Sequence, residues 1–552
     1  MADDKEFQEA QARNPHLREY LAQKGMDKPN FFVQLDRSLK GDEFPNVMYP
    51  VGDPIFIHIL RKPGENEVQY IAVEPQMTPR ETEMFNKISD QLIKIAHSMD
   101  TSDTTEDLSD ILVKLMNDLV TVDGKTVQGT GRKKGFMDNV MGMFGGVTGK
   151  INMTQSEYDK IKYFLIRERV GYGILEPLLR DPYIEDIHCI GVARVYTIHK
   201  IFEMVTTNII FNTDLQLDKY VFDSSERVER PVSEAQPVVD AIMPDGSRVN
   251  FIYGREVSLE GSSFTIRKFS KVPISVTQCV NWHTFPPELA AYMWLCIENG
   301  MSIFICGETA SGKTTTLNAL SAFIKPDAKV YSVENTPEVT MPHPTWQHLV
   351  TRESGKETDV TMMTLLVAAL RSRPNYIIVG EIREKEGSIA FQAMQTGHPV
   401  MSTFHAGDPH KMIQRLTGHP INVPISAIDN LNLVLIQQAV YLNGKFQRRV
   451  LSVTELIKYY DEIGKVATAN VFEWVPATDE FGFLGWHNSY ILEEKVARLL
   501  GYKDVREIYD ELMFRSRIID KMIKEKVFNY FDVWEIIKSY YYKGKEGLPW
   551  SV

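Results

Sequence analysis

Residues 305–320 read ICGETASGKTTTLNAL, and within them Gly307-Glu308-Thr309-Ala310-Ser311-Gly312-Lys313-Thr314 matches the pattern G-x-x-x-x-G-K-[ST]. The apolar run Ile303–Cys306 before it has the character of a buried strand. Leu317, Leu320 and Ile324 after it repeat at helical spacing. Glycines at such a junction allow a tight turn whose successive backbone N–H groups converge on phosphate oxygens, with no Cβ in the way. Lys313 adds a point charge for the terminal phosphates, Thr314 a hydroxyl for Mg²⁺, and Thr315 a further donor. The helix they open directs its positive end at the anion. The stretch therefore predicts a strand, a phosphate-binding loop and a helix, and with them an α/β domain that binds a nucleoside triphosphate.

Hydrolysis needs acids as well. Asn375-Tyr376-Ile377-Ile378-Val379-Gly380-Glu381 is a second buried-strand pattern that ends in a carboxylate, placed to hold a magnesium ion or a water. In KVYSVENTPE, Glu334 and Glu338 follow a third apolar run, where a strand-end carboxylate can accept a proton from the attacking water. TGHPVMSTFHAGDP supplies His398 and His405. No third ligand stands at zinc spacing, so a γ-phosphate contact is the more economical reading of a histidine after VMSTF. A guanine reader N-K-x-D should follow the loop in a GTPase. The Asn86-Lys87 pair lies upstream and has Ser89 in place of the aspartate, which favours ATP.

Working outward, 552 residues exceed what one core serves and predict two to four domains. We place an N-terminal α+β partner-binding domain at 1–121, a flexible glycine-rich linker at 122–150, a second α/β domain at 151–272 and the ATPase domain with C-terminal helices at 273–552. Residues 48–75 alternate around KPGENE as a hairpin. Met84, Ile88, Leu92 and Ile95 share one helical face, and Leu108, Ile111, Leu112, Leu115 and Leu119 another. In the linker, Arg132, Lys133, Lys134, Phe136, Met141 and Phe144 offer a less economical alternative, a transient membrane or partner contact. Val505, Ile508, Tyr509 and Leu512, followed by KVFNYFDVWEIIKSYYY, read as packed helices.

Bulk chemistry narrows the function classes. A net charge of −12 argues against a broad nucleic-acid surface and hence against a DNA translocator. No run approaches the ~18 uncharged apolar residues of a membrane span, and the acidic start MADDKEFQEAQ is no secretory signal. The expected location is the cytoplasm. Cys189, Cys279, Cys296 and Cys306 form no C-x-x-C pair, so buried free thiols are expected rather than disulfides or zinc.

GETASGKTTTLNA, ENTPE, LRSRPNYIIVGEIREKEG, FQAMQTGHPVMSTFHAGD and IQRLTGHPINVP together resemble the secretion-superfamily ATPases of type II secretion, type IV pili and type IV secretion. Within them, RPVSEAQPVVDAIMPDGSRVNFIYG, FTIRKFSKVPISVTQ and YPVGDPIFIHI most resemble the archaellum motor ATPases. The resemblance implies a homo-hexameric ring of RecA-like P-loop C-terminal domains. Each would be joined to a smaller α/β domain and an α+β N-terminal domain that move as ATP turns over. It also implies ATP and Mg²⁺ as cofactors, a polytopic membrane platform and motor accessory proteins as partners, and a place at the inner face of the cell membrane. Residue by residue, it makes Lys313 and Thr314 the Walker A pair, Glu381 the Walker B glutamate, Glu334 the water-activating base and His398 and His405 the "His box". Arg248 and Arg267 match arginines that reach phosphates across a domain or subunit boundary, with Arg371 and Arg373 as second choices. The family's usual Glu-Asp is Glu334-Asn335 here, which puts Asn335 in doubt in the metal shell. Alternatives are an adhesive-pilus or secretion ATPase of the archaeal branch and, from another class, a nucleotide-gated scaffold that does not hydrolyse. Keeping both Glu334 and Glu381 argues against the scaffold.

Overall fold

A computed structural model of the chain describes residues 2–23, 27–36, 39–97, 107–127, 150–269, 272–352, 359–442 and 445–551. The fold is mixed α/β. It divides into two compact units, Met1–Phe269 and Ser270–Val552.

In the second unit the strands run in the order Trp346–Val350, Val330–Glu334, Tyr376–Ile382, Val400–Phe404, Ile303–Cys306, Leu433–Leu442, then Lys445–Tyr460, Lys465–Val475 and Glu480–Phe483. From Trp346–Val350 through Leu433–Leu442 every pairing is parallel, and the remaining pairings are antiparallel. The run Ile303–Cys306 is apolar throughout because both sheet faces are covered. Ile303 and Ile305 enter a core with the helices Val276–Asn281, Pro287–Glu298, Ile508–Lys524 and Tyr530–Lys543. Phe304 and Cys306 enter a second core with Met362–Arg371, Glu386–Gln395 and Pro409–Thr417. Period-two alternation thus divides one short strand between two cores.

The C-terminal aromatic segment is packed as expected. Asn529 caps Tyr530–Lys543 by accepting from the amides of Phe531 and Asp532, and Tyr530 and Trp534 are buried. Trp294 stacks on Phe323 at 5.3 Å, and the Arg515 guanidinium sits over the Trp294 ring, 4.8 Å from its centre. The P-loop helix spans Lys313–Ser321, so Ile324, expected to continue it, lies beyond its end yet is still buried.

The first unit carries a sheet whose strands at one end, Asn30–Phe31, Asn46–Pro50, Phe56–Leu60 and Gln69–Val73, continue through Glu203–Ile210, Arg194–His199, Ile184–Ile190, Ser263–Arg267, Arg248–Ile252 and Val238–Ile242. Strands from residues 1–121 and from 151–272 therefore share one sheet, joined where Gln69–Val73 pairs in parallel with Glu203–Ile210. The stretch 48–75 contains more than the hairpin the alternation predicts. A second tight turn, with Gly52 at φ +101°, folds Asn46–Pro50 against Phe56–Leu60. Met84, Ile88, Leu92 and Ile95 of Pro79–His97 are buried with Leu115 and Leu119 of Leu108–Leu119, whereas Leu108 in the first turn is exposed.

The three strands Val120–Val122, Lys125–Thr126 and Ile151–Met153 pair at the two ends of the glycine-rich segment. Arg132, Lys133, Lys134, Phe136, Met141 and Phe144 lie outside the described residues. All four cysteines are buried free thiols, and burial pushes Cys189 up to about 12. Among the described residues no helix is long and apolar enough to cross a membrane.

Candidate functional site

Because the central strands are parallel, the C-terminal ends of Ile303–Cys306, Val330–Glu334, Tyr376–Ile382 and Val400–Phe404 share one edge of the sheet. In open α/β sheets that edge is where ligands bind.

The loop 307–312 is built against the neighbouring Leu433–Leu442 and Lys445–Tyr460 strands. Gln437 Nε2 donates to the carbonyl of Ser311 at 3.0 Å, and Arg448 Nε to that of Ala310 at 3.2 Å. A Cβ on residue 307 would stand 2.1 Å from the Gln437 carbonyl oxygen, so only glycine fits there. Gly312 lies at φ +94°, and its Cβ would come within 2.9 Å of Arg448 Cδ. It precedes the Lys313–Ser321 helix without a side-chain cap, leaving the first-turn amides free of side-chain partners. We expect Gly312→Ala to cost about 1–2 kcal/mol from the left-handed backbone alone, read as a lower urea midpoint with an unchanged slope.

Lys313 is buried, and its Nζ donates to the Glu308 carbonyl at 2.7 Å. Burial lowers the pKa of its ammonium, while the charge of Glu381 acts the other way. Buried polar atoms are nearly always paired. Yet among the described residues Ser311 Oγ, Thr316 Oγ1, Gln437 Oε1 and Glu381 Oε1, in and around this loop, have no hydrogen-bond partner. They are spare capacity for a polar ligand.

The acid side of the site comes from Tyr376–Ile382. Its register with Val400–Phe404 slips between Val379 and Glu381, a bulge closed by Thr403 Oγ1 donating to the Gly380 carbonyl at 2.6 Å. Bulges re-aim side chains, and here the residue that follows is Glu381. Arg383 Nη2 donates to Glu381 Oε2 at 2.5 Å, and that bond raises the arginine's pKa. His405 Nε2 lies 3.0 Å from Glu381 Oε1, without the angle of a hydrogen bond. Burial and the Lys313 charge lower the His405 pKa, against the pull of Glu381. Arg415 donates to the His405 carbonyl and sits over the Phe404 ring. Lys313, Glu381 and His405 thus share one electrostatic field. The donor set of a threonine hydroxyl at Thr314 and the unpartnered Glu381 oxygen suits a hard cation such as Mg²⁺.

Glu334 closes its strand and is 1% exposed. Its Oε1 accepts from the amides of Glu338 at 3.0 Å and Val339 at 2.9 Å, and its Oε2 faces His348 Nε2 at 2.7 Å. Gly380 makes room for it, since a Cβ there would be 3.0 Å from Glu334 Cγ. Asn335, next along, is exposed and accepts from Thr351 Oγ1 at 3.2 Å.

Other expected residues sit elsewhere. His398 precedes Val400–Phe404, at the opposite end of the strand from His405, with its Nδ1 3.2 Å from Thr396 Oγ1. Arg371 and Arg373 are exposed and lie before Tyr376–Ile382, at the end away from Glu381. In the first unit, Arg248 and Arg267 are directly opposed on paired strands, both exposed. Asp240 lies 3.9 Å from one and Asp186 3.7 Å from the other. Like charges facing each other across a sheet are destabilising, and the two aspartates offset that repulsion.

The sequence reading missed Arg383, His348, Gln437 and Arg448. Arg383 carried a signal, since it stands two residues after Glu381, just past the end of Tyr376–Ile382, within reach of the carboxylate. The others reach the site only through strand order, which no local pattern encodes.

The chain belongs to the Type II/IV secretion system protein family, whose signature it matches over residues 168–472. It is 51% identical to the uncharacterized protein MJ0900 of Methanocaldococcus jannaschii over 99% of this chain and 98% of that one. With MJ1287 of the same archaeon it shares 42% identity over 45% of this chain and 92% of the other. Among solved structures, the VirB11 ATPase of the Brucella suis type IV secretion system matches at 23% identity over 51% of this chain and 95% of that chain. Its TM-score is 0.27, a superposition too loose to carry residue roles across.

Proposed function

We propose that this chain is a cytoplasmic, ring-forming ATPase with a RecA-like catalytic domain. It would couple hydrolysis to domain motion against a polytopic membrane platform, driving assembly and rotation of an archaellum. The observation that carries the ATPase reading is the convergence of the 307–312 loop, buried Lys313 and Glu381 around polar atoms that lack partners. Membership of the secretion-system family and the full-length archaeal relative support the filament reading, together with the motif resemblance.

In this mechanism the loop amides and Lys313 hold the β and γ phosphates. Thr314 and Glu381 would hold Mg²⁺, which neutralises phosphate charge when bound. His405 contacts the γ-phosphate from the next strand end. Glu334 orients the attacking water and accepts its proton. Arg248 and Arg267 act from a neighbouring subunit on charge developing in the transition state.

The test is complementation in mixed rings. An Arg248→Ala/Arg267→Ala double variant should turn over ATP about a hundredfold more slowly. Mixing it with a Lys313→Ala partner, whose arginines are intact, should restore part of the lost rate. Mixtures no faster than the mean of their components would reject a shared site.

A further inference from the structure

Val330–Glu334 pairs in parallel with Trp346–Val350, the edge strand of the sheet, with Ser332 in register with His348 and Glu334 with Val350. Across this pair runs a chain of side-chain contacts. Trp346 Nε1 donates to Ser332 Oγ at 2.8 Å, which fixes the indole. The His348 ring stacks on that indole, centroids 4.8 Å apart and planes 21° from parallel. His348 Nε2 then meets Glu334 Oε2 at 2.7 Å. An ionised carboxylate oxygen only accepts, so Nε2 carries the proton in this pair. Glu334 is otherwise held only at Oε1, by two backbone amides. Among the described residues, the histidine is the one side chain seen to bond the carboxylate, and its own orientation is set by a stacked, hydrogen-bonded tryptophan.

We infer that His348 is a positioning residue for the hydrolytic step, holding Glu334 in the orientation from which it acts on the attacking water. The inference rests on the reading of Glu334 as the base. A buried carboxylate with Oε1 pinned by two amides can still rock about its final torsion, which is broad and soft for glutamate. The bond at Oε2 removes that freedom. Trp346 contributes at one remove, by fixing the imidazole plane. This gives the edge strand a role in turnover that the loop and helix motifs do not reveal.

The experiment compares His348→Met, which keeps bulk without an N–H, with His348→Gln, whose amide restores a donor, in the full-length protein. The readouts are kcat and KM for Mg-ATP, and thermal melting. We expect His348→Met to lower kcat about tenfold or more, out of the ~10²–10⁴ that a positioned base supplies. KM and melting should stay near the parent values, and His348→Gln should recover most of the rate. Parent-like kcat in His348→Met overturns the inference, and so does an equal loss in both variants. If His348→Met does not fold, His348→Ala takes its place under the same criteria. Glu334→Gln separates the two readings. If it turns over ATP at the parent rate, the assignment of the base fails. If it is inactive while His348→Met is unimpaired, only the role of His348 fails.

Discussion

Lys313→Ala should lower ATP turnover about a thousandfold while leaving the fold intact. The side chain donates to the Glu308 carbonyl and is buried, yet among the described residues it forms no ion pair within 4 Å. A desolvated ammonium is worth little to the resting protein, because burial penalises its charge. In the proposed mechanism its value comes when phosphate oxygens arrive, where low local dielectric would strengthen the attraction. Losing one preorganised charge of this kind costs on the order of 10²–10³ in rate, and weaker binding of the triphosphate adds to it. Phosphate release across an ATP titration, with circular dichroism to confirm folding, measures both. Turnover within tenfold of the parent would show that the loop works without its lysine.

Glu381→Gln should separate binding from hydrolysis. The amide is nearly the same shape and can still accept from Arg383 through its oxygen, so the strand end should persist. The negative charge that opposes the lowering of the Lys313 pKa and faces His405 is lost. We expect steady-state phosphate release to fall about a thousandfold, with retention of a fluorescent ATP analogue within a few-fold of the parent. Release at the parent rate would remove Glu381 from the mechanism. Loss of nucleotide retention would instead make it a binding residue.

Much of the catalytic unit was legible in the chain because its signals are local. Gly307, Gly312 and Lys313 are forced by backbone geometry and charge within eight residues. The apolar run Ile303–Cys306 reads as a buried strand because both its faces are covered. Glu334 and Glu381 were placed at strand ends by the runs before them, and both stand there. What was hidden depends on strand order. Nothing in TWQHLV announces that its strand lies beside Val330–Glu334, so His348 could not be linked to Glu334. Gln437 and Arg448 brace the loop from strands more than 120 residues downstream. His398 and His405 share one motif, but only His405 follows the apolar run VMSTF, and the five residues of Val400–Phe404 separate the two by the length of a strand. The parallel pairing of Gln69–Val73 with Glu203–Ile210 was equally out of reach, because such contacts carry no turn signal between them.

The bond between Arg383 and Glu381 bears on what the protein requires before any nucleotide arrives. Glu381 already has a counter-charge within the chain, the guanidinium of Arg383 two residues away. Chelating divalent ions should therefore silence the enzyme without loosening its architecture. The same tether leaves the second carboxylate oxygen without a hydrogen bond, facing His405 Nε2 at 3.0 Å, so in the proposed mechanism a cation would meet it without first breaking the bond to Arg383.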